Sequence, residues 1–163
     1  QGTLENLVDL NDWLGTLPHR RKIIIAGNHD WVFQEAPELA RETLTHAIYL
    51  DWAFMLERGQ TLRGKWQLIP KNTDVLITHG PPRGIGDQVA VDFRVRNVGC
   101  VDLEQRLEQL PNLQAHVFGH IHEGYGQYLR GQTRLLNAST CTARYEPTNP
   151  PIVFDLSKTG ECR

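Results

Sequence analysis

The chain has 163 residues, of which 40% are hydrophobic and 22% are charged, and its formal net charge is −2. This length and composition predict one soluble, globular domain over residues 1–163. The nearly balanced charge gives no strong nucleic-acid signal, and no apolar run approaches the ~20 residues that a membrane-spanning helix needs. The three cysteines are widely spaced and odd in number, which predicts a reducing, cytoplasmic location rather than a disulfide framework.

The N-terminal part of the chain predicts an amphipathic helix followed by a buried strand. Apolar residues recur at helical spacing after Thr3, a suitable N-cap residue, and Pro18 ends the pattern. Residues 23–26 are wholly apolar and mostly β-branched, as in a strand in the middle of a sheet and buried on both faces. The polar segment Gly27-Asn28-His29-Asp30 follows directly, at the carboxyl end of the strand, where α/β sheets place their ligand sites.

The next segments predict a helix from Pro37 to about His46, a strand at 48–50 and another helix between residues 51 and 70. Residues 59–65 match the opening of a phosphate-binding P-loop, Gly-x-x-x-x-Gly-Lys. However, Trp66 stands where the magnesium-binding Ser or Thr is required, and no buried strand precedes the segment. We therefore interpret this segment as part of a helix.

The second half of the chain predicts two more buried strands that end at histidines. Residues 74–78 lead to His79, and residues 116–118 lead to Gly119-His120-Ile121-His122. Further predicted elements are a Gly- and Pro-rich loop at 80–87, a helix from Val98 to Leu110, a hairpin of 125–130 with 133–137, and a last strand at 152–156.

Three predicted strands thus end in polar, histidine-containing segments, and we expect these segments on one rim of the sheet. In an extended backbone residues i and i+2 point to the same face, so His120 and His122 would present both imidazoles to one point. A transition-metal ion is the expected ligand of such a pair. A lone histidine is more often a hydrogen-bonded loop or core residue, and this is our interpretation of His19, His46 and His116.

Three segments resemble, in order and spacing, the later motifs of the calcineurin-like metallophosphoesterases. They are Gly27-Asn28-His29-Asp30, Thr78-His79-Gly80 and Gly119-His120-Ile121-His122. Within that family the chain is similar to the metallophosphoesterase-domain-containing branch. This narrower resemblance covers residues 79–82, 117–126, 137–141 and 147–151.

The resemblance implies an α/β fold, a metallophosphoesterase sandwich of two mixed β-sheets flanked by helices. It also implies two divalent metal ions at strand ends. His and Asn ligands can bind Mn, Fe, Zn or Ni, so the identity of the metal stays open. The activity it implies is that of a hydrolase, a phosphodiesterase whose expected substrates include cyclic nucleotides. The expected partner is therefore a small phosphorylated substrate such as a nucleotide, while the sequence leaves the oligomeric state open.

Carried over residue by residue, the resemblance assigns Asn28, His79 and His120 to one metal ion and His122 to the other. His29 would be the general acid that protonates the leaving oxygen, because its intrinsic pKa lies near neutrality. Asp30 would fix the tautomer of that imidazole. Asn28, His29 and Arg83 could also contact the substrate phosphate, although a solvated surface arginine is the more common outcome for Arg83.

Two parts of the family pattern are absent from this sequence. The family begins with Asp-x-His and Gly-Asp motifs whose carboxylates bind and bridge the ions, whereas this chain begins at Gln1. Relatives also carry extra strands between the positions of Leu50 and Asp51. We therefore expect this chain to be part of a longer protein. By itself the chain would bind metal weakly, because two cations facing only neutral ligands repel each other. Asp87 could supply a carboxylate, but capping of its own loop is the more common role.

Two other functions remain as alternatives. The first is a weakly active or inactive nucleotide-binding or regulatory module that keeps the fold. Some relatives in this branch have glycine at the position of His120, and the histidine retained here favours catalysis. The second is a serine or cysteine hydrolase, which finds little support because the chain has only Ser139 and Ser157 and no Gly-x-Ser-x-Gly elbow.

Overall fold

A computed structural model describes residues 2–50 and 56–156 of the chain. The described residues fall into two compact units, residues 2–50 and residues 56–156. Helices and mixed strands are present, which confirms the predicted α/β class. The single-domain organisation stays a prediction. Over these two ranges, no helix is long and apolar enough to cross a bilayer.

The first unit contains three helices and a two-stranded parallel sheet. Its elements are α1 (Leu4–Thr16), β1 (Ile23–Ile25), α2 (Val32–Glu35), α3 (Pro37–Thr43) and β2 (Ile48–Leu50). Thr3 caps α1 as predicted, since its hydroxyl accepts the Asn6 N–H at 3.3 Å. The apolar faces of the helices form a small core of Leu7, Leu14, Val32, Ala40 and Leu44.

The prediction that β1 lies in the middle of a doubly buried sheet is wrong for the described residues. Within them β1 pairs only with β2, and Ile23 is 48% exposed. A run of β-branched residues reports strand propensity, whereas the number of neighbouring strands depends on pairings elsewhere in the chain. The extra strands expected in the relatives lie between the positions of Leu50 and Asp51. Asp51 lies outside the described residues.

The second unit is built on a four-stranded sheet with the order β3-β6-β8-β7. Its elements are α4 (Gln60–Trp66), β3 (Val75–Ile77), β4 (Gln88–Val91), β5 (Arg94–Asn97), α5 (Val101–Leu107), β6 (Ala115–Phe118), β7 (Gly126–Arg130) and β8 (Thr133–Asn137). Strand β6 runs parallel to both β3 and β8, and β7 closes the sheet as an antiparallel edge. Strand β6 is therefore central, and Ala115, His116 and Phe118 on it are buried.

The predicted elements of this unit agree with the structure in part. The P-loop-like segment is the helix α4, preceded by Gly59 and burying Leu62 and Trp66, as predicted. The hairpin β4–β5 was not predicted, because its pairing depends on a two-residue turn at Asp92-Phe93, both with positive φ, that lacks glycine. The predicted strand at 152–156 is wrong, since the chain is irregular there.

Candidate metal centre

His79 and His120 follow neighbouring parallel strands and lie side by side. Because β3 and β6 run in the same direction, their carboxyl ends meet at one edge of the sheet. The ring centroids are 4.6 Å apart and the ring planes are tilted by 54°. The Gly119 N–H donates to the His79 carbonyl at 2.9 Å, which ties the two loops together beside the rings. The predicted convergence is thus confirmed for this pair of histidines.

The backbone reverses sharply at His120. The residue has φ 69°, and the Ile121 N–H donates to the Gly119 carbonyl at 2.8 Å, so His120 is the centre of a γ-turn. A side chain at such a φ costs on the order of 1–3 kcal/mol, and strain of this kind is common at binding sites. The expectation that His120 and His122 share one face of an extended backbone is wrong, because this turn separates them.

His122 begins a 3₁₀ turn, His122–Gly124, and its ring has a fixed tautomer. Its Nδ1 lies 3.0 Å from the Thr142 carbonyl oxygen, which can only accept a hydrogen bond. Nδ1 therefore carries the proton and Nε2 keeps its lone pair, the arrangement that metal-binding histidines adopt. The ring of Tyr145 stands edge-on to the imidazole, with centroids 5.0 Å apart.

Asn137 holds the loop between the two histidines. Its Nδ2 donates to the carbonyls of Ile121 at 2.8 Å and of Gly86 at 3.1 Å. Its Oδ1 accepts the Ser139 N–H at 3.1 Å and the Ser139 hydroxyl at 2.8 Å. Ile121 lies directly between His120 and His122, so this buried amide fixes the part of the backbone that carries both. Sequence reasoning missed the role, because an asparagine at a strand end is typical of many loops.

Gly86 and Gly124 let two loops touch next to His122. A Cβ added to Gly124 would lie 2.1 Å from the Gly86 carbonyl oxygen, which no side chain tolerates. The adjacent Asp87 is fully buried and accepts the Asn97 Nδ2–H and the Gly99 N–H, each at 2.9 Å. Both carboxylate oxygens are thus bonded to residues at the far end of the β4–β5 hairpin, so the prediction that Asp87 caps its own loop is wrong.

In the first unit, Gly27, Asn28, His29 and Asp30 form a tight turn after β1. The Asp30 carboxylate accepts the Gly27 N–H at 2.6 Å, and the Asp30 N–H donates to the Gly27 carbonyl at 3.2 Å. Asn28 is half-buried and His29 is exposed. That Asn28, His29 and Asp30 join the histidines of the second unit stays a prediction.

The second unit offers donor types that suit a divalent transition-metal ion, but not a complete set of ligands. Two adjacent imidazoles and a third with a free Nε2 lone pair are the ligand types that such ions prefer. Carboxylates are missing from this set: over residues 2–50 and 56–156, no group of three or more His, Cys, Asp and Glu side chains could hold an ion. Arg83 is exposed in the loop after His79.

The other three histidines lie outside this centre. His116 is fully buried in β6, and burial lowers its pKa to about 3, so it is neutral at physiological pH. The Nδ1 of His46 lies 3.1 Å from the Asn11 carbonyl, and His19 is exposed in a loop. The surroundings of His19 and His46 agree with the structural roles expected for them.

The chain is similar to known proteins in both sequence and fold. A model of the calcineurin-like phosphoesterase family matches residues 2–124. Metallophosphoesterase domain-containing protein 1 of Homo sapiens and that of Mus musculus are each 40% identical over 191 residues, which cover 90% of this chain and 58% of the relative. A UPF0046 protein of Caenorhabditis elegans is 32% identical over 193 residues, covering 95% of this chain and 68% of that protein.

The chain thus spans 58% of the length of the mammalian relatives, and each match is longer than the chain itself, so these relatives carry additional residues inside the matched region. A crystal structure that is 19% identical superposes with a TM-score of 0.56 over 83% of this chain and 63% of its own chain, which shows a shared fold. Together with the histidines at the ends of β3 and β6, these matches show that the chain belongs to the calcineurin-like phosphoesterase family, in the metallophosphoesterase-domain-containing branch.

Proposed function

We propose that this chain is the catalytic part of a metal-dependent phosphodiesterase whose substrates include cyclic nucleotides. The observation that carries the proposal is the pairing of His79 and His120, whose ring centroids are 4.6 Å apart where two parallel strands end. Imidazole nitrogens bind such ions at ~2.1 Å, so two rings this close can reach one ion. Family membership supports the reaction class.

His79 and His120 would hold one divalent ion and His122 would hold a second through Nε2, and the family resemblance assigns Asn28 of the first unit to the first ion. Such ions would supply polarisation of the phosphoryl group and activation of the attacking water. The Thr142 carbonyl accepts the His122 Nδ1–H, which leaves Nε2 of the neutral ring as the nitrogen that would bind an ion. At the γ-turn, the ring of His120 lies beside that of His79.

His29 is the proposed general acid. It is exposed, so its imidazole can take up a proton from solvent between turnovers. The protonated imidazole of His29 would give its proton to the leaving oxygen of the ester. Asp30 fixes the turn that carries His29, since its carboxylate accepts the Gly27 N–H at 2.6 Å. Arg83, exposed after His79, is the proposed contact for a substrate phosphate oxygen.

The decisive experiment separates proton transfer from metal binding. Replacing His29→Ala should lower turnover by about 10²–10⁴-fold and leave Mn²⁺ affinity within a factor of two of wild type, since an acid contributes on that order. His19→Ala is the matched control, because His19 is also exposed in the first unit and has no proposed role. Turnover in the His29 variant equal to that of the control would refute the acid assignment.

The substrate class is tested with phosphomonoesters, linear diesters and cyclic nucleotides, each assayed with Mn²⁺, Zn²⁺, Ni²⁺ or Fe²⁺. We expect the highest kcat/KM with diesters. Metal binding without turnover of any of them would replace the enzyme hypothesis with that of a nucleotide-binding regulatory module.

A further inference from the structure

The buried residue His116 has a hydrogen-bonding pattern that core packing does not explain. Its Nε2 lies 2.8 Å from the Thr78 hydroxyl, and its Nδ1, also buried, has no hydrogen-bond partner among the described residues. An unpaired buried acceptor destabilises the folded state, and an apolar side chain at this position would avoid that cost. A histidine in the centre of the sheet therefore calls for a role other than packing.

The direction of the hydrogen bonds follows from the partners. The Thr78 hydroxyl lies 2.7 Å from the Gly80 carbonyl oxygen, which can only accept, so the single hydroxyl proton goes to Gly80. The His116 Nε2 must then be the protonated nitrogen that donates to Thr78. The result is a directed chain, from His116 Nε2–H to Thr78 Oγ1–H to the Gly80 carbonyl.

This chain of hydrogen bonds encloses His79. Thr78 precedes His79 and Gly80 follows it, so the hydroxyl of one neighbour is bonded to the carbonyl of the other. The Thr78 N–H donates to the Val117 carbonyl at 2.9 Å, and the His79 carbonyl accepts the Gly119 N–H at 2.9 Å. The backbone around His79 is therefore fixed at several points, and the direction of the Thr78 hydroxyl depends on His116.

We propose that His116 is a positioning residue for His79, acting through Thr78. The neutral imidazole donates one hydrogen bond that orients the Thr78 hydroxyl, and this hydroxyl closes the turn that presents the His79 ring beside His120. The proposal rests on the proposed function only in taking His79 as a metal ligand. It predicts that the His116–Thr78 pair serves metal affinity and not the stability of the fold.

The test uses a double variant that removes both polar groups while keeping the side chains close in shape, Thr78→Val with His116→Leu. Replacing both partners of a buried hydrogen bond by apolar groups can be neutral or stabilising. We expect the thermal unfolding midpoint of the metal-free double variant to equal or exceed that of wild type. Its Mn²⁺ affinity, measured by calorimetry, should fall by about tenfold, at the low end of what supporting residues contribute.

A second readout needs no metal. Because the Gly119 N–H donates to the His79 carbonyl, its hydrogen-exchange protection reports how firmly His79 is held. Protection should fall at Gly119 in His116→Leu, which keeps the Thr78 hydroxyl, and return in His116→Gln, whose amide can donate in place of Nε2. In wild type, ¹⁵N spectra of the imidazoles should show His116 protonated at Nε2 alone.

The outcomes separate the two proposals. Unchanged Gly119 protection in His116→Leu, or unchanged Mn²⁺ affinity in the double variant, would overturn the positioning role. A wild-type chain that binds no Mn²⁺ would refute His79 as a ligand, and with it the proposed function, while Gly119 protection would still decide whether His116 positions the turn.

Discussion

The loop after β1 and the loop after β6 both carry Asn or His residues assigned to the proposed active site, but the two loops are stabilised in different ways. The turn after β1 is closed by bonds between near neighbours, since the Asp30 carboxylate accepts the Gly27 N–H and the Asp30 N–H donates to the Gly27 carbonyl. The loop after β6 is held by residues that are distant in sequence, namely Asn137, which bonds to Ile121, and Thr142, which bonds to His122. The hydrogen bonds described for the first segment are therefore local, whereas those of the second require the folded sheet.

The largest effect is expected when the partner network of the loop after β6 is broken. Replacing Asn137→Leu keeps the size of the side chain but removes the donor to the Gly86 carbonyl and the acceptor of the Ser139 N–H, while the Ile121 carbonyl keeps the Gly124 N–H. Each unpaired buried group costs about 1–3 kcal/mol, so the free energy of unfolding should fall by about 4 kcal/mol in urea titrations. Asn149→Leu is the control, because Asn149 is half-buried and donates to two carbonyls, so a smaller loss is expected. Equal losses in the free energy of unfolding would show that Asn137 stabilises the protein no more than Asn149 does.

Acidification should weaken the second unit through His116. Burial lowers the pKa of His116 to about 3, below its unfolded value of 6.5, so the unfolded state binds the proton first. The stability contribution is therefore complete above pH 6.5 and is lost as pH falls from 6.5 toward 3. The loss is about 1.4 kcal/mol per pH unit, or roughly 2 kcal/mol by pH 5.

The pH effect is measured as a difference between two proteins. The free energies of unfolding of wild type and of the Thr78→Val/His116→Leu variant should diverge below pH 6.5 and run parallel above pH 7. Curves that remain parallel down to pH 5 would mean that His116 can be protonated without unfolding.

A smaller and purely local effect is expected in the turn after β1. Replacing Asp30→Ala removes a charge-assisted hydrogen bond from a half-buried carboxylate and should cost about 1 kcal/mol of stability. Exchange of the Gly27 amide should accelerate, while the Gly119 amide of the second unit keeps its protection. Asp30→Asn retains an acceptor oxygen and should recover at least half of the loss. Accelerated exchange at Gly119 would contradict the local character of this turn.

The smallest effect concerns the strain at His120. Its φ of 69° favours glycine, so His120→Gly should be more stable than His120→Ala by about 1 kcal/mol. Both variants lose the imidazole and should bind Mn²⁺ equally weakly. A glycine variant no more stable than the alanine variant would show that the γ-turn relaxes once the side chain is gone.

The comparison of the two loops also explains what sequence reasoning could and could not predict. Apolar segments that end in histidine predicted the positions of β3 and β6, because strand propensity and polar loop residues are local properties. Such reasoning could not give the γ-turn at His120, since a positive φ is uncommon for a residue other than glycine. Nor could it give the carbonyl that fixes the tautomer of His122, since Thr142 lies 20 residues along the chain. The role of Asn137 was likewise hidden, because its bonding partners are known only once β6 and β8 are paired.

The parallel pairing of β3 with β6 has a consequence for how the chain folds. A hairpin and a helix separate these strands in sequence, so His79 and His120 meet only after a long-range contact has formed. An ion that needs both rings as ligands would bind only the native state, and its binding would stabilise that state by mass action. The gain is about 2.7 kcal/mol when the free ion is a hundredfold above its dissociation constant. If the proposed site binds an ion, chelators should therefore lower the melting temperature of the protein.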